Sequence, residues 1–176
     1  MKKLLLALML ITATMVNAQK NSVLLGGNIG FSSDKYGESK VENFEFSPKV
    51  GYQFAEKWTA GVEGSIMNVK TTGEDKTEKY KIGGFVRYST PFSNLFSFYM
   101  DLGAGYQNTS LNNAKGIYAS IDPGLFINMK NGFGLNFSIG GINYNNLDGK
   151  NDPRQNNLDF NFGKTLNIGI SKNFAL

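Results

Sequence analysis

Residues 43–54 read NFEFSPKVGYQF. Phe44, Phe46, Pro48, Val50, Tyr52 and Phe54 alternate with Asn43, Glu45, Ser47, Lys49, Gly51 and Gln53. A period of two marks a strand with one apolar and one polar face. In a soluble sandwich the rings would pack on a core and Glu45 and Lys49 would meet water. In a membrane barrel the rings would meet lipid and the two charges would point into a lumen. The fold turns on which face is inside.

The same alternation recurs in seven further segments, which begin at SVLLGGNIGF (22–31), WTAGVEGSIMNV (58–69), YKIGGFVRYST (80–90), FSFYMDLGAGY (96–106), IYASIDPGLFI (117–127), FGLNFSIGG (133–141) and LDFNFGKTLNIGISKNF (158–174). Helical periodicity is absent. The connections alternate too. Residues 55–57, 91–94 and 130–132 are tight turns, while the polar joins 33–42, 70–79, 107–116 and 144–157 are longer. Short turns at one end and long loops at the other is the layout of a membrane barrel. An even strand count puts both termini on the short-turn side.

Three features decide the facing. Tyr52, Phe54, Trp58, Tyr88, Phe96, Phe133 and Phe174 lie on apolar faces near the short turns. Phe31, Phe44, Tyr80, Tyr106 and Phe160 lie near the long joins. Two aromatic belts match the two headgroup levels of a bilayer, which a sandwich core would not require. The opposite face is rich in Gly, Ser, Asn and Thr, which suit the narrow interior of eight strands. The final strand runs unbroken for about 17 residues, beyond the roughly 9–11 that cross a bilayer. These features predict an all-β, eight-stranded antiparallel transmembrane β-barrel with up-and-down meander order.

The first residues agree with export. Lys2 and Lys3 precede an apolar run from Leu4 to Ile11, and Val16-Asn17-Ala18 forms a cleavage site. Residues 1–18 read as a cleaved signal peptide and 19–176 as the barrel domain. Of the 176 residues, 18 are basic and 14 acidic. Loss of Lys2 and Lys3 leaves 16 against 14, which gives no electrostatic case for nucleic acid. Cys and His are both absent, which removes disulfides, thiolate chemistry and the commonest general base and metal ligand.

FSPKVGYQFAEKWTAGVEG (46–64) and IGGFVRYSTPFSNLFSFYMDLGAGY (82–106) resemble the small porin-like outer-membrane barrels of Bacteroidetes-type bacteria. Pro48-x-Val50-Gly51-Tyr52, Gly61 and Gly84-Phe85-Val86-Arg87-Tyr88 carry the likeness. In architecture these are similar to outer-membrane protein X and the membrane domain of outer-membrane protein A. The resemblance implies a cell outer-membrane location with periplasmic termini. It also implies contact with outer-membrane lipids and lipopolysaccharide, and passage through periplasmic chaperones and the barrel-assembly machinery. It specifies the fold, and folds of this kind serve many functions.

Glu45, Lys49, Glu63, Lys81, Arg87, Asp101 and Asp122 fall on the lumen face, with Phe85, Tyr99, Tyr118 and Phe126. With the tight turns as hairpin centres, Lys49 is expected opposite Glu63, and Arg87 diagonal to both Glu63 and Asp101. Unpaired charges in so narrow a space would be costly, so the reading is a paired network that plugs the lumen. Asp101 and Asp122 lack an adjacent nucleophile–base pair, and lipid-modifying barrels that use His and Ser cannot be copied without His. Asp148, Asp152 and their Asn neighbours have calcium-type oxygens, but they read as an ordinary polar loop. The expected function is structural or surface-interacting, with no catalysis, cofactor or metal. A narrow channel for ions or small solutes is the alternative, and a lipid-modifying enzyme the distant third. Extracellular ligands of the loops are not specified.

Overall fold

The computed structural model describes residues 22–73, 75–149 and 154–175. The expected leader, and with it the 1–18 boundary, lies outside the described residues. Eight strands run in chain order: β1 (Ser22–Tyr36), β2 (Ser39–Ala55), β3 (Trp58–Thr71), β4 (Thr77–Pro91), β5 (Phe96–Thr109), β6 (Lys115–Lys130), β7 (Phe133–Asp148) and β8 (Gln155–Ala175). Each pairs antiparallel with its sequence neighbours, and β1 also pairs with β8, closing the sheet into a barrel. The meander order is the one that the eight alternating segments predict.

Burial answers the question raised by residues 43–54. Phe44, Phe46 and Val50 are 39%, 44% and 44% exposed on the outer wall. Glu45 and Lys49 line the cavity on the inner side. The apolar side chains of the other strands likewise point out: Val62, Ile82, Leu102, Ile117, Ile139 and Ile168 are all exposed. Near the short turns, Trp58 stands opposite Tyr88 in the β3–β4 ladder, with ring centroids 5.0 Å apart in an edge-on contact. Phe92, in the β4–β5 turn, stacks on Phe96 and Phe98 at 5.8 and 4.7 Å.

Ser22 of β1 is paired with both Ala175 and Gln53, so the two ends of the described chain lie at the short-turn end. At the opposite end the polar joins prove to be mostly strand. β1 and β2 continue to Tyr36 and Ser39, leaving only Gly37 and Glu38 as the turn, with Gly37 at φ 62°. β5 and β6 are joined through one turn of 3-10 helix, Leu111–Asn113. Above the bilayer both faces of a strand meet water, so alternation disappears while backbone pairing persists. Hydropathy therefore ended these strands too early.

Two further corrections concern β7 and β8. Across the β7–β8 ladder Ser138 pairs with Asn167 and Gly140 with Phe162, so two steps on β7 span five on β8. Three extra residues thus sit in β8, which runs unbroken from Gln155 to Ala175 as expected but carries a β-bulge in its middle. The φ values of 98° at Gly140 and 75° at Gly163 fit the residues that carry this distortion. β7 also shifts register against β6 between Ile121 and Gly124. Its facing changes there: Asn136 and Ser138 line the lumen below the shift, and Asn143 and Asn145 above it.

Candidate functional site: the lumen

The inward side chains form a stack of layers. Leu24, Thr59 and Tyr99 are buried toward the short turns, and the charged layer lies with them. Phe85, 2% exposed, is two residues farther from the short turn along β4 than Arg87. Arg87 on β4 stands directly opposite Asp101 on β5. Its Nε donates to Asp101 Oδ1 at 2.6 Å and its Nη2 to Oδ2 at 2.8 Å, a two-point contact. The guanidinium lies 4.0 Å from the Tyr99 ring centroid. Arg87 Nη1 also donates to Asn136 Oδ1 at 3.3 Å, and Asn136 Nδ2 donates to Ser171 Oγ at 2.8 Å. The cation on β4 is thereby tied to β7 and β8 across the barrel.

Lys49 on β2 pairs with Glu63 on β3 in the ladder, and its Nζ lies 3.0 Å from Glu63 Oε2. The same ammonium donates to Asp101 Oδ2 at 2.8 Å. Asp101, itself 2% exposed, thus receives two cations. Tyr118 Oη donates to Glu63 Oε1 at 2.9 Å. A buried charge left without such partners would carry a large desolvation cost, so this density of pairing is what makes the layer tolerable.

The geometry changes one expectation. Arg87 is not diagonal to Glu63 and Asp101. It faces Asp101 on one side and Thr59 on the other, four residues along β3 from Glu63. The β4–β5 turn is formed by residues 92–95, one position later than the sequence placed it, which moves the register with Asp101, while the β3–β4 pairing sets Arg87 against Thr59. Lys49, rather than Arg87, joins the two carboxylates.

The remaining expected charges stand apart. Asp122 is opposite Asp101 in the β5–β6 ladder and forms no ion pair among the described residues. Lys81 lies over the Tyr118 ring at 5.0 Å, and Glu45 accepts from Ser47 Oγ at 2.8 Å. Ser47 Oγ also stands 3.0 Å from Ser65 Oγ. Sequence reading missed Asn136 as a partner of Arg87, and Ser171 as the partner of Asn136. Their inward parity was legible, but contact between strands that are not neighbours in the sheet depends on barrel radius and shear.

A cavity of about 490 Å³ occupies the lumen at and above the charged layer, with Leu24 and Tyr99 also in its lining. Its lining runs from Arg87, Asp101 and Ser171 up to Lys79, Leu147 and Gln155 near the long end. Among the described residues no group of three or more Asp, Glu, His or Cys is placed to hold a metal. Asp148 lies 3.9 Å from Arg154, and Asp152 falls outside the described residues. At the rim, Lys40 beside Glu42 holds that carboxyl below its ordinary range, and Lys76 does the same for Glu78 with help from the Tyr80 hydroxyl. These pairs are solvated and contribute little to stability.

A model of the outer membrane protein beta-barrel domain matches residues 4–174. No curated protein matches the chain significantly. Among solved structures, outer membrane protein OprG from Pseudomonas aeruginosa aligns over 92% of this chain and 99% of its own, with 13% identity and TM-score 0.50. The outer membrane protein Ail from Yersinia pestis covers 89% of this chain and 100% of its own, with 16% identity and TM-score 0.46. The outer membrane enzyme PagL covers 89% and 99%, with 10% identity and TM-score 0.39. Likeness at such identities is a likeness of fold.

Proposed function

The chain belongs to the outer membrane protein beta-barrel domain family, and from that premise we propose that it is a sealed barrel with a structural or surface-interaction role. The observation that carries this reading is the two-point Arg87–Asp101 contact, joined by Lys49 and flanked by Tyr99, Asn136 and Phe85. Eight strands enclose little more than their own inward side chains, and here Lys49 on β2 reaches Asp101 on β5 and Arg87 on β4 reaches Asn136 on β7. The protein resides in the outer membrane. We read the termini as periplasmic and the tall polar end, with its rim pairs Lys40–Glu42 and Lys76–Glu78, as the outward surface that meets lipopolysaccharide and any ligand.

We read the chain within this family as one of the small porin-like barrels of Bacteroidetes-type bacteria, akin to outer-membrane protein X. Catalysis is not part of the proposal. The chain has no His or Cys, and Lys49 and Arg87 engage the lumen carboxylates Glu63 and Asp101. Biogenesis through periplasmic chaperones and the assembly machinery follows from the family.

The cavity above the charged layer favours one second reading, a narrow channel for ions or small solutes. Single-channel recording of the full mature protein in planar bilayers separates the two. A sealed barrel gives no steady conductance above the bare bilayer. A steady, cation- or anion-selective conductance makes the protein a channel.

A further inference from the structure

The lumen holds its charges in two different ways. In the layer that shuts it, Lys49, Glu63, Arg87 and Asp101 all stand in ion pairs of 3.0 Å or less. Four further charges line the same cavity: Lys79 and Lys81 on β4, Glu45 on β2 and Asp122 on β6. The two lysines lie farther along β4 from the short turn than Arg87, and Glu45 lies farther along β2 than Lys49. None of the four forms an ion pair among the described residues. Three of them are nonetheless held. Lys81 lies over the Tyr118 ring at 5.0 Å, Glu45 accepts from Ser47 Oγ, and Asp122 accepts from the Ser120 hydroxyl. These charges are oriented but not neutralised.

Space and charge together define a guest. About 490 Å³ is the size of a small-molecule site. The unpaired charges are two of each sign, and the layer beneath is also two against two, so the cavity is neutral as it stands. A guest with a net charge would leave the lumen charged, where an uncompensated ion is costly. An apolar guest would leave all four charges without a partner. A guest with one cationic and one anionic end answers both signs and keeps the cavity neutral. Asp122 faces Asp101 in the β5–β6 ladder, and two like charges opposite each other repel. A cationic end therefore belongs at Asp122, which leaves the anionic end to Lys81. Gln107, opposite Lys81, and Asn143, opposite Ser120, add amide groups to the lining that match a peptide unit.

We propose that the cavity binds a small zwitterion, a free amino acid or short unblocked peptide, with its carboxylate at Lys81 and its ammonium at Asp122. This goes beyond the sealed-barrel reading. That reading concerns the Arg87–Asp101 closure, and a guest at Lys81 and Asp122 need not pass it.

The test uses the full mature chain in lipid nanodiscs, with dialanine as the probe and backbone amide NMR shifts as the readout. Dialanine should shift the amides of residues 79–83 and 118–124 saturably. Its N-acetyl form and its C-terminal amide, each lacking one charge, should bind several-fold more weakly. Lys81→Gln should weaken dialanine several-fold and erase its advantage over the amide, while its advantage over the N-acetyl form stays. Asp122→Asn should do the reverse. A general loss of stability would not produce that crossed pattern. Both variants are read in barrels that keep their heat-dependent gel shift. Should either fail to fold, the wild-type comparison of dialanine with its two blocked forms decides. Because the probe reaches both mouths of the barrel in a nanodisc, the result is independent of whether the lumen conducts. Absence of a saturable shift, equal binding of blocked and unblocked forms, or the same shifts from sodium chloride alone would overturn the proposal.

Discussion

Arg87 and Asp101 face each other across the β4–β5 ladder and meet through two hydrogen bonds of 2.6 and 2.8 Å. Neither strand could hold its charge alone. The pair is possible because a two-residue period sends both side chains inward while Tyr88 and Met100, their neighbours in the ladder, go outward. A planar guanidinium against a planar carboxylate is the strongest form of such a pair. Lys49 Nζ, 2.8 Å from the same Asp101, extends it to a third strand.

The facing can be tested directly. Val62 and Leu102 are exposed on the outer wall, and an arginine at either should cost about 2–4 kcal/mol if it lies near the bilayer midplane. Ser65→Asn, in the lumen lining, should be milder. Refolding titrations into lipid vesicles read both, and equal tolerance of the two classes would contradict the facing.

Gly124 gives a packing prediction. A Cβ there would lie 2.3 Å from the Tyr99 ring, and Tyr99 is the ring beneath Arg87. Gly124→Ala should therefore destabilise the barrel by about 1–3 kcal/mol through overpacking. The paired variant Gly124→Ala with Tyr99→Leu should be less destabilised than the sum of the two single changes, measured by urea unfolding in micelles.

The rim behaves differently. Lys40 lowers the Glu42 pKa through a hydrogen bond and its charge. A lowered carboxyl pKa favours the folded state above the ordinary carboxylate value and loses that contribution as pH falls through the lowered one. Lys40→Ala should raise the Glu42 midpoint in an NMR titration. Barrel stability at neutral pH should stay unchanged, because the pair is solvated.

The alternation of all eight segments, with their aromatic belts and short turns, was sufficient for the barrel, the strand order and the inward position of every charge in the network. Lys49 opposite Glu63 was legible because the 55–57 turn is short and its centre well defined. Arg87 was misregistered because the turn after it comes one residue later, and one residue changes which side chains meet. The bulge between Phe162 and Asn167 was invisible because Phe160, Phe162, Leu166 and Ile168 keep the same parity through it. Partners across the lumen, such as Asn136, are set by closure of the sheet, which no local pattern encodes.

The measurement closest to the central claim is the stability of the Arg87 series in lipid vesicles. Arg87→Ala should cost up to about 3–5 kcal/mol, because it takes the two-point contact from the buried Asp101 carboxylate and leaves it Lys49 alone. Replacing Arg87 and Asp101 together with neutral residues of similar size should recover part of that loss, since Lys49 then keeps Glu63 as its partner. If Arg87→Ala folds with wild-type stability, or if the double variant is worse than the single one, the charges do not hold the lumen shut as a network.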